Sequence, residues 1–212
     1  MNGTGLNPLY EKVITDLVEQ QYSVVENFFS ATEVLALRES LLVKYDEDMF
    51  KKSAIGNMAN EVIVEAIRGD FIFWLDESIY NSAERQFFDK INDFTTYLNR
   101  TCFMGIADQE FHYAVYPPGT FYKRHLDTFQ NDSKRKLSIV CYLNDEDWLP
   151  EYGGELTLYH TNDGVETALN IYPVQGRMVI FESQVLEHEV KPVQQERLSI
   201  TGWLKSRPEI VF

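Results

Sequence analysis

Only two of the 212 residues are cysteine, Cys102 and Cys141, and only four are histidine. Two thiols cannot staple a chain of this length, so a disulfide scaffold is excluded, and their apolar surroundings predict two reduced core residues. Nowhere do about eighteen apolar residues run together, so no membrane-spanning helix is expected. The N-terminal stretch MNGTGLNPLYEKV has neither a basic segment nor an apolar signal core, which predicts a cytoplasmic protein. Basic residues are scarce: 19 Lys and Arg against 33 Asp and Glu give a formal charge of -14. Such a surface repels phosphate backbones, which argues against nucleic acid as a partner and favours a basic protein or peptide. Internal repeats, low-complexity tracts and linkers are also missing.

What the chain does contain is 44% hydrophobic and 14% aromatic residues, sufficient for a substantial core. Val13, Ile14, Leu17 and Val18 recur at helical spacing, and YSVVENFF (22–29) reads as a strand. Ser30 and Glu33 form a capping box ahead of a second helix carrying Val34, Leu35, Leu37, Leu41 and Leu42. Residues 52–61, with Gly56 among polar neighbours, read as an exposed loop. A third helix at about 83–99 aligns Phe87, Phe88, Ile91, Phe94 and Leu98 on one face.

Past Gly105 the period changes from helical to alternating. Short runs at 110–117, 121–126, 136–143, 154–160, 167–173, 176–182, 187–193 and 196–206 are separated by turn signals such as Pro117-Pro118-Gly119 and Asn162-Asp163-Gly164. About eight short strands predict a sandwich or a jelly roll. The expected class is α+β, one domain over 1–212, with helices in about 1–104 packed on one face of a sheet built from about 105–206.

Within that second part stands His125-Leu126-Asp127, followed at a distance by His188 and then by Arg197. Residues i and i+2 of a strand point the same way, so His125 and Asp127 can reach one interior point while Leu126 points away. Two imidazoles and one carboxylate leave three positions of an octahedron open, the arrangement of non-haem Fe(II) oxygenases, and the absence of cysteine ligands argues against structural zinc. Arg197, Ser199, Thr201 and Trp203 share one face of an alternating segment. A guanidinium held inside a barrel requires a carboxylate to fork onto, and Thr201 can donate to the same anion. His112 and His160 carry no motif and read as structural.

These residues resemble the 2-oxoglutarate and Fe(II)-dependent oxygenases, prolyl hydroxylase branch. The resembling blocks are AVYPPGTFYKRHLD (114–127), SIVCYLN (138–144), GGEL (153–156), HEVKPV (188–193) and RLSITGW (197–203). A further block, AIRGDFIFWLDE (66–77), is similar to a segment of the oxygen-sensing prolyl hydroxylases and of bacterial relatives that modify a translation factor. The resemblance implies a double-stranded β-helix, with His125, Asp127 and His188 as iron ligands. It implies that Arg197, Thr201, Tyr142 and Tyr116 bind the co-substrate. It also implies that Tyr122, Trp203, Arg68, Asp70 and Trp74 line the substrate site, although Asp70 could instead pair with Arg135 to tie down a loop. The Tyr116-to-Tyr122 segment is one residue shorter than in the animal oxygen sensors, and Gly202 stands where a bulkier residue is usual.

The implied activity is hydroxylation of a prolyl residue in a protein, with Fe(II), 2-oxoglutarate and O2 consumed, succinate and CO2 released, and ascorbate as a candidate reductant. Elongation factor Tu is the first candidate substrate by family analogy. Two alternatives stand beside it: the same chemistry on another side chain, free amino acid or small metabolite, and a non-catalytic metal-dependent binding or sensor module. Succinate production separates the module from either enzyme.

Overall fold

Each helix begins on a side chain that satisfies its first free amides. A computed structural model describes residues 6–53, 67–127, 134–162 and 164–207. Helix α1 (Pro8–Gln20) starts at Asn7, whose side-chain Oδ1 accepts from the Leu9 and Tyr10 amides. Helix α2 (Ala31–Asp46) starts at the Ser30–Glu33 capping box, and α3 (Ser82–Cys102) at an Asn81–Glu84 box of the same kind. All five expected apolar residues of α3 are buried, whereas Val18 of α1 and Leu35 of α2 face solvent. Cys102, expected in the core, lies exposed at the α3 terminus; only Cys141 is buried.

The strands are β1 (Tyr22–Val25), β2 (Lys51–Lys52), β3 (Phe71–Trp74), β4 (Ile106–Tyr116), β5 (Tyr122–His125), β6 (Arg135–Tyr142), β7 (Leu156–Asn162), β8 (Val165–Ile171), β9 (Met178–Glu182), β10 (Glu187–Val190) and β11 (Arg197–Ser206). The first is shorter than 22–29 because the chain turns at Asn27, in left-handed backbone at φ 59°, leaving Phe28 and Phe29 buried as loop residues. Strands β2 and β3 were not expected. The loop expected at 52–61 falls, beyond Ser53, outside the described residues.

All pairings are antiparallel. One seven-stranded sheet runs β1-β9-β6-β11-β4-β3-β2, and a four-stranded sheet runs β5-β10-β7-β8. Strand alternation sorts the large sheet's side chains into two layers. Phe111, Ile139, Cys141, Ile180 and Ile200 pack with Val13, Leu37, Ile91 and Phe94 of the helices. The intervening residues Ala114, Tyr116, Val140, Tyr142 and Phe181 pack with Leu156, Leu158 and Val190 of the small sheet. Each such burial of a large apolar side chain stabilises the fold by about 1.5–3 kcal/mol relative to exposure. The fold is thus α+β, a double-stranded β-helix with its helices on one face of the large sheet, and the inter-sheet layer opens at one end. Gly202 of β11 is paired directly with Phe111 of β4: a Cβ there would lie 2.2 Å from the Phe111 ring and 2.3 Å from the Glu110 carbonyl oxygen, so this approach admits only glycine.

Candidate active site

Antiparallel pairing of β5 with β10 sets His125 directly opposite His188, with ring centroids 4.3 Å apart. Asp127 joins them from two residues past the end of β5. The strand therefore stops at His125, and a bend of the chain rather than strand alternation brings the carboxylate in. One potential ligand atom from each of the three lies within 4.8 Å of the others. The Nε2 atoms of His125 and His188 are each 3.5 Å from an Asp127 oxygen. Their Nδ1 atoms face the backbone carbonyls of Lys123 at 2.7 Å and Leu186 at 3.3 Å. With Nδ1–H donating there, the Nε2 lone pairs converge on the common point. The Ser138 hydroxyl donates to Asp127 Oδ2 at 2.7 Å and is itself 2.9 Å from Ser183 Oγ.

Burial would raise the Asp127 carboxyl, but His188, His125 and Ser138 outweigh it and hold the group well below the usual carboxylate range. Burial likewise pulls His188 down to about 4, against the attraction of Asp127. An ionised carboxylate beside two imidazole nitrogens is the donor set that a borderline divalent metal takes, and three protein ligands leave coordination sites open.

Deeper in the same cavity, about 960 Å³ in volume, lies Arg197 at 2% exposure. Register places it opposite Tyr116 of β4, and its guanidinium carbon is 5.0 Å from the ring centroids of both Tyr116 and Tyr142. Among the described residues it makes one long bond, Nη1 to Ser199 Oγ at 3.4 Å; Nε has no partner, and the Tyr142 hydroxyl faces the guanidinium without any other partner. Among the described residues no carboxylate pairs with Arg197. A buried, unpaired cation is costly, so these two orphaned donors, with Thr201 on the same face, fit the far carboxylate of a diacid. Gly154, at φ +70°, lets the arginine lie close: a Cβ there would sit 3.1 Å from Arg197 Cδ. The GGEL block thus serves the pocket through the side chain that it lacks.

At the mouth, Trp203 is stacked under the Arg135 guanidinium, 3.6 Å from its ring, and Trp74 is 43% exposed. Asp70 does not pair with Arg135. It forks onto Arg68 instead, while Arg135 bonds to Glu110 at 2.8 Å and to the Asp127 carbonyl at 3.1 Å. Tyr122 stacks on His125 at 3.7 Å.

One residue read as structural belongs to this wall. His112 lines the cavity, packs at 4.8 Å against Trp74 and 5.6 Å against Trp203, and has no partner for Nδ1. Burial first, then Arg68, pushes its pKa down to about 3. The signal was alternation: in FHYAVY, His112 shares the face of Ala114 and Tyr116.

A family model described as the 2OG-Fe(II) oxygenase superfamily matches residues 111–205. The chain is 26% identical, over 96% of its length, to a hypoxia-inducible factor prolyl hydroxylase of Caenorhabditis elegans, and spans 29% of that relative. Among solved structures, a Pseudomonas putida prolyl-4-hydroxylase is 37% identical, with a TM-score of 0.82 over 94% of this chain and 100% of that one. A Trichoplax adhaerens prolyl hydroxylase, solved with a hypoxia-inducible factor peptide fragment, is 27% identical, with a TM-score of 0.83 over 93% of this chain and 89% of that one.

Proposed function

Because the chain belongs to the 2OG-Fe(II) oxygenase superfamily, in its prolyl hydroxylase branch, we propose that it hydroxylates a prolyl residue of a protein or peptide. The reaction consumes 2-oxoglutarate and O2 at Fe(II) and releases succinate and CO2. The observation that carries this reading is Arg197, a buried guanidinium with no carboxylate partner among the described residues, lining the cavity that holds the His125–Asp127–His188 cluster.

In this reading each residue has a task. His125, Asp127 and His188 would hold the iron. Arg197 would bind the distal carboxylate of the keto acid, with Tyr142 and Thr201 as further donors. Burial raises the Tyr116 hydroxyl far above its ordinary range, so it stays a phenol and a hydrogen-bond donor. Tyr122 and Trp203 wall the reacting space with stiff aromatic surface and exclude water. When bound, the iron and the keto acid supply the oxidising chemistry that places one oxygen atom in a C–H bond.

A peptide suits the site better than a small metabolite. The cavity is at the large end for a small-molecule pocket and opens beside a solvent-exposed Trp74. The Trichoplax relative holds such a peptide. An exposed, unpaired Cys102 suits a reducing compartment, and we place the enzyme in the cytoplasm, with elongation factor Tu as the first substrate to test. The test is incubation of the Fe(II)-loaded protein with 2-oxoglutarate and either purified elongation factor Tu or cell extract, followed by peptide mass spectrometry. The expected result is one proline gaining one oxygen, matched by succinate. Hydroxylation of a different residue type, or of a free amino acid alone, would refute the prolyl assignment.

A further inference from the structure

The IRGD block was expected to contact substrate, yet its two charged side chains are turned toward each other and toward a metal ligand. Asp70 is fully buried. Its oxygens accept from Arg68 Nε at 2.8 Å and Nη2 at 2.6 Å, and Oδ1 also accepts from Ser53 Oγ at 2.6 Å. The carboxylate thereby accepts three hydrogen bonds, and the guanidinium is held in one plane. That guanidinium lies over the Tyr122 ring at 4.3 Å. The same ring stacks on His125, with centroids 3.7 Å apart and planes 21° from parallel.

The backbone reinforces the line. Arg68 and Tyr122 form an isolated antiparallel bridge. The Gly69 amide donates to the Phe121 carbonyl at 3.1 Å, and the Lys123 amide to the Ile67 carbonyl at 2.9 Å. Gly69 is what permits this approach, since a Cβ there would meet Thr120 Cβ at 2.9 Å.

His125 needs such support more than its partners. Its side chain is 18% exposed, against 8% for Asp127 and 7% for His188. His188 is also backed by Phe181 at 4.7 Å. The Nδ1 contact with the Lys123 carbonyl limits rotation of the His125 ring within its plane, and a stacked ring limits tilt out of that plane.

We propose that Asp70 and Arg68 are positioning residues of the metal centre, acting through the Tyr122 ring to hold the His125 imidazole in its ligating orientation. This rests on His125 being a metal ligand. Partners one step removed from a ligand typically govern metal affinity by about 10–100-fold. Lysine cannot substitute for Arg68, because a point charge neither forks onto Asp70 nor lies flat on a phenol.

The experiment is calorimetric titration of the full chain with Co(II), together with the visible ligand-field spectrum of the Co(II) form. Arg68→Lys and Asp70→Asn should each weaken Co(II) binding about tenfold and shift the spectrum as Tyr122→Leu does, whereas Tyr122→Phe should match wild type. The double variant Asp70→Asn/Tyr122→Leu should bind no more weakly than Tyr122→Leu alone, because both cut one line of contact. If Asp70→Asn does not fold, Arg68→Lys decides by itself. Wild-type Co(II) affinity and spectrum in Arg68→Lys, with a raised KM for the peptide, would overturn the proposal and restore a substrate contact. Failure of wild type to bind Co(II) at all would instead overturn the metal site on which both readings stand.

Discussion

Replacing Arg197 with methionine should move stability and co-substrate binding in opposite directions. The guanidinium is 2% exposed, and no carboxylate among the described residues pairs with it. A buried charge left without its partner typically costs about 3–5 kcal/mol. Methionine removes that cost but loses two contacts with the Tyr116 and Tyr142 rings, each worth about 1–2 kcal/mol when desolvated. The expected net is about 1 kcal/mol of added stability without co-substrate. For a domain of this size that is about 2–4 °C, so the melting point should rise by a few degrees. Losing one partner of a buried charge pair costs 2-oxoglutarate binding about 2–5 kcal/mol, or about 30-fold in Kd at the lower end. With Co(II) in every sample, 2-oxoglutarate at about 100 times the wild-type Kd should stabilise wild type by about 2.7 kcal/mol but Arg197→Met by less than about 1 kcal/mol. Thermal melts with and without 2-oxoglutarate would therefore cross. A variant that melts lower without the keto acid yet keeps its full ligand-induced shift would refute the reasoning, because Arg197 would then be scaffold only.

Other consequences follow from the same contacts. Ser138→Ala removes the 2.7 Å donor to Asp127 Oδ2 and should weaken metal binding about tenfold at unchanged 2-oxoglutarate specificity; equal metal affinity in a titration would show that the bond is incidental. His112 falls from its ordinary 6.5 to about 3 on folding, so the folded state binds fewer protons, and its contribution is complete above about pH 6.5 and lost as pH falls toward 3. That one group costs up to about 1.4 kcal/mol per pH unit, so melting points of His112→Leu should decline less steeply than wild type between about pH 6.5 and 5; parallel slopes would contradict it. Gly202→Ala would force a Cβ to 2.2 Å from Phe111 in the central strand pair and should destabilise by about 1–3 kcal/mol or more, read as a lower melting point; an unchanged melt would mean that β4 and β11 can separate freely.

The elements legible in the sequence were those whose cause is local. Ser30 with Glu33 marks a helix start because cap and amide lie within one turn, and the apolar stripe of α3 is a property of helical spacing. The eight runs after Gly105 appeared as strands because side chains alternate whatever their partner. His125, Asp127, His188 and Arg197 stood out by residue type and spacing, although at Asp127 the chain bends and does not alternate. Errors arose where exposure depends on distant chain. Cys102 looks like a core residue until α3 ends on the surface, and β2 and β3 are too short to show a period.

By itself, then, the sequence determined the helices, most of the strands and which residues carry chemistry, because propensity, capping and side-chain period act over a few neighbours. Only the tertiary structure decided how they meet. The pairing of β5 with β10 opposes His188 to His125, the register of β11 between β4 and β6 sets Arg197 among tyrosines, and the bridge from Arg68 to Tyr122 turns the IRGD charges toward the metal side. Register and partner choice follow from the packing of both sheets at once, and that is a long-range balance no local pattern encodes.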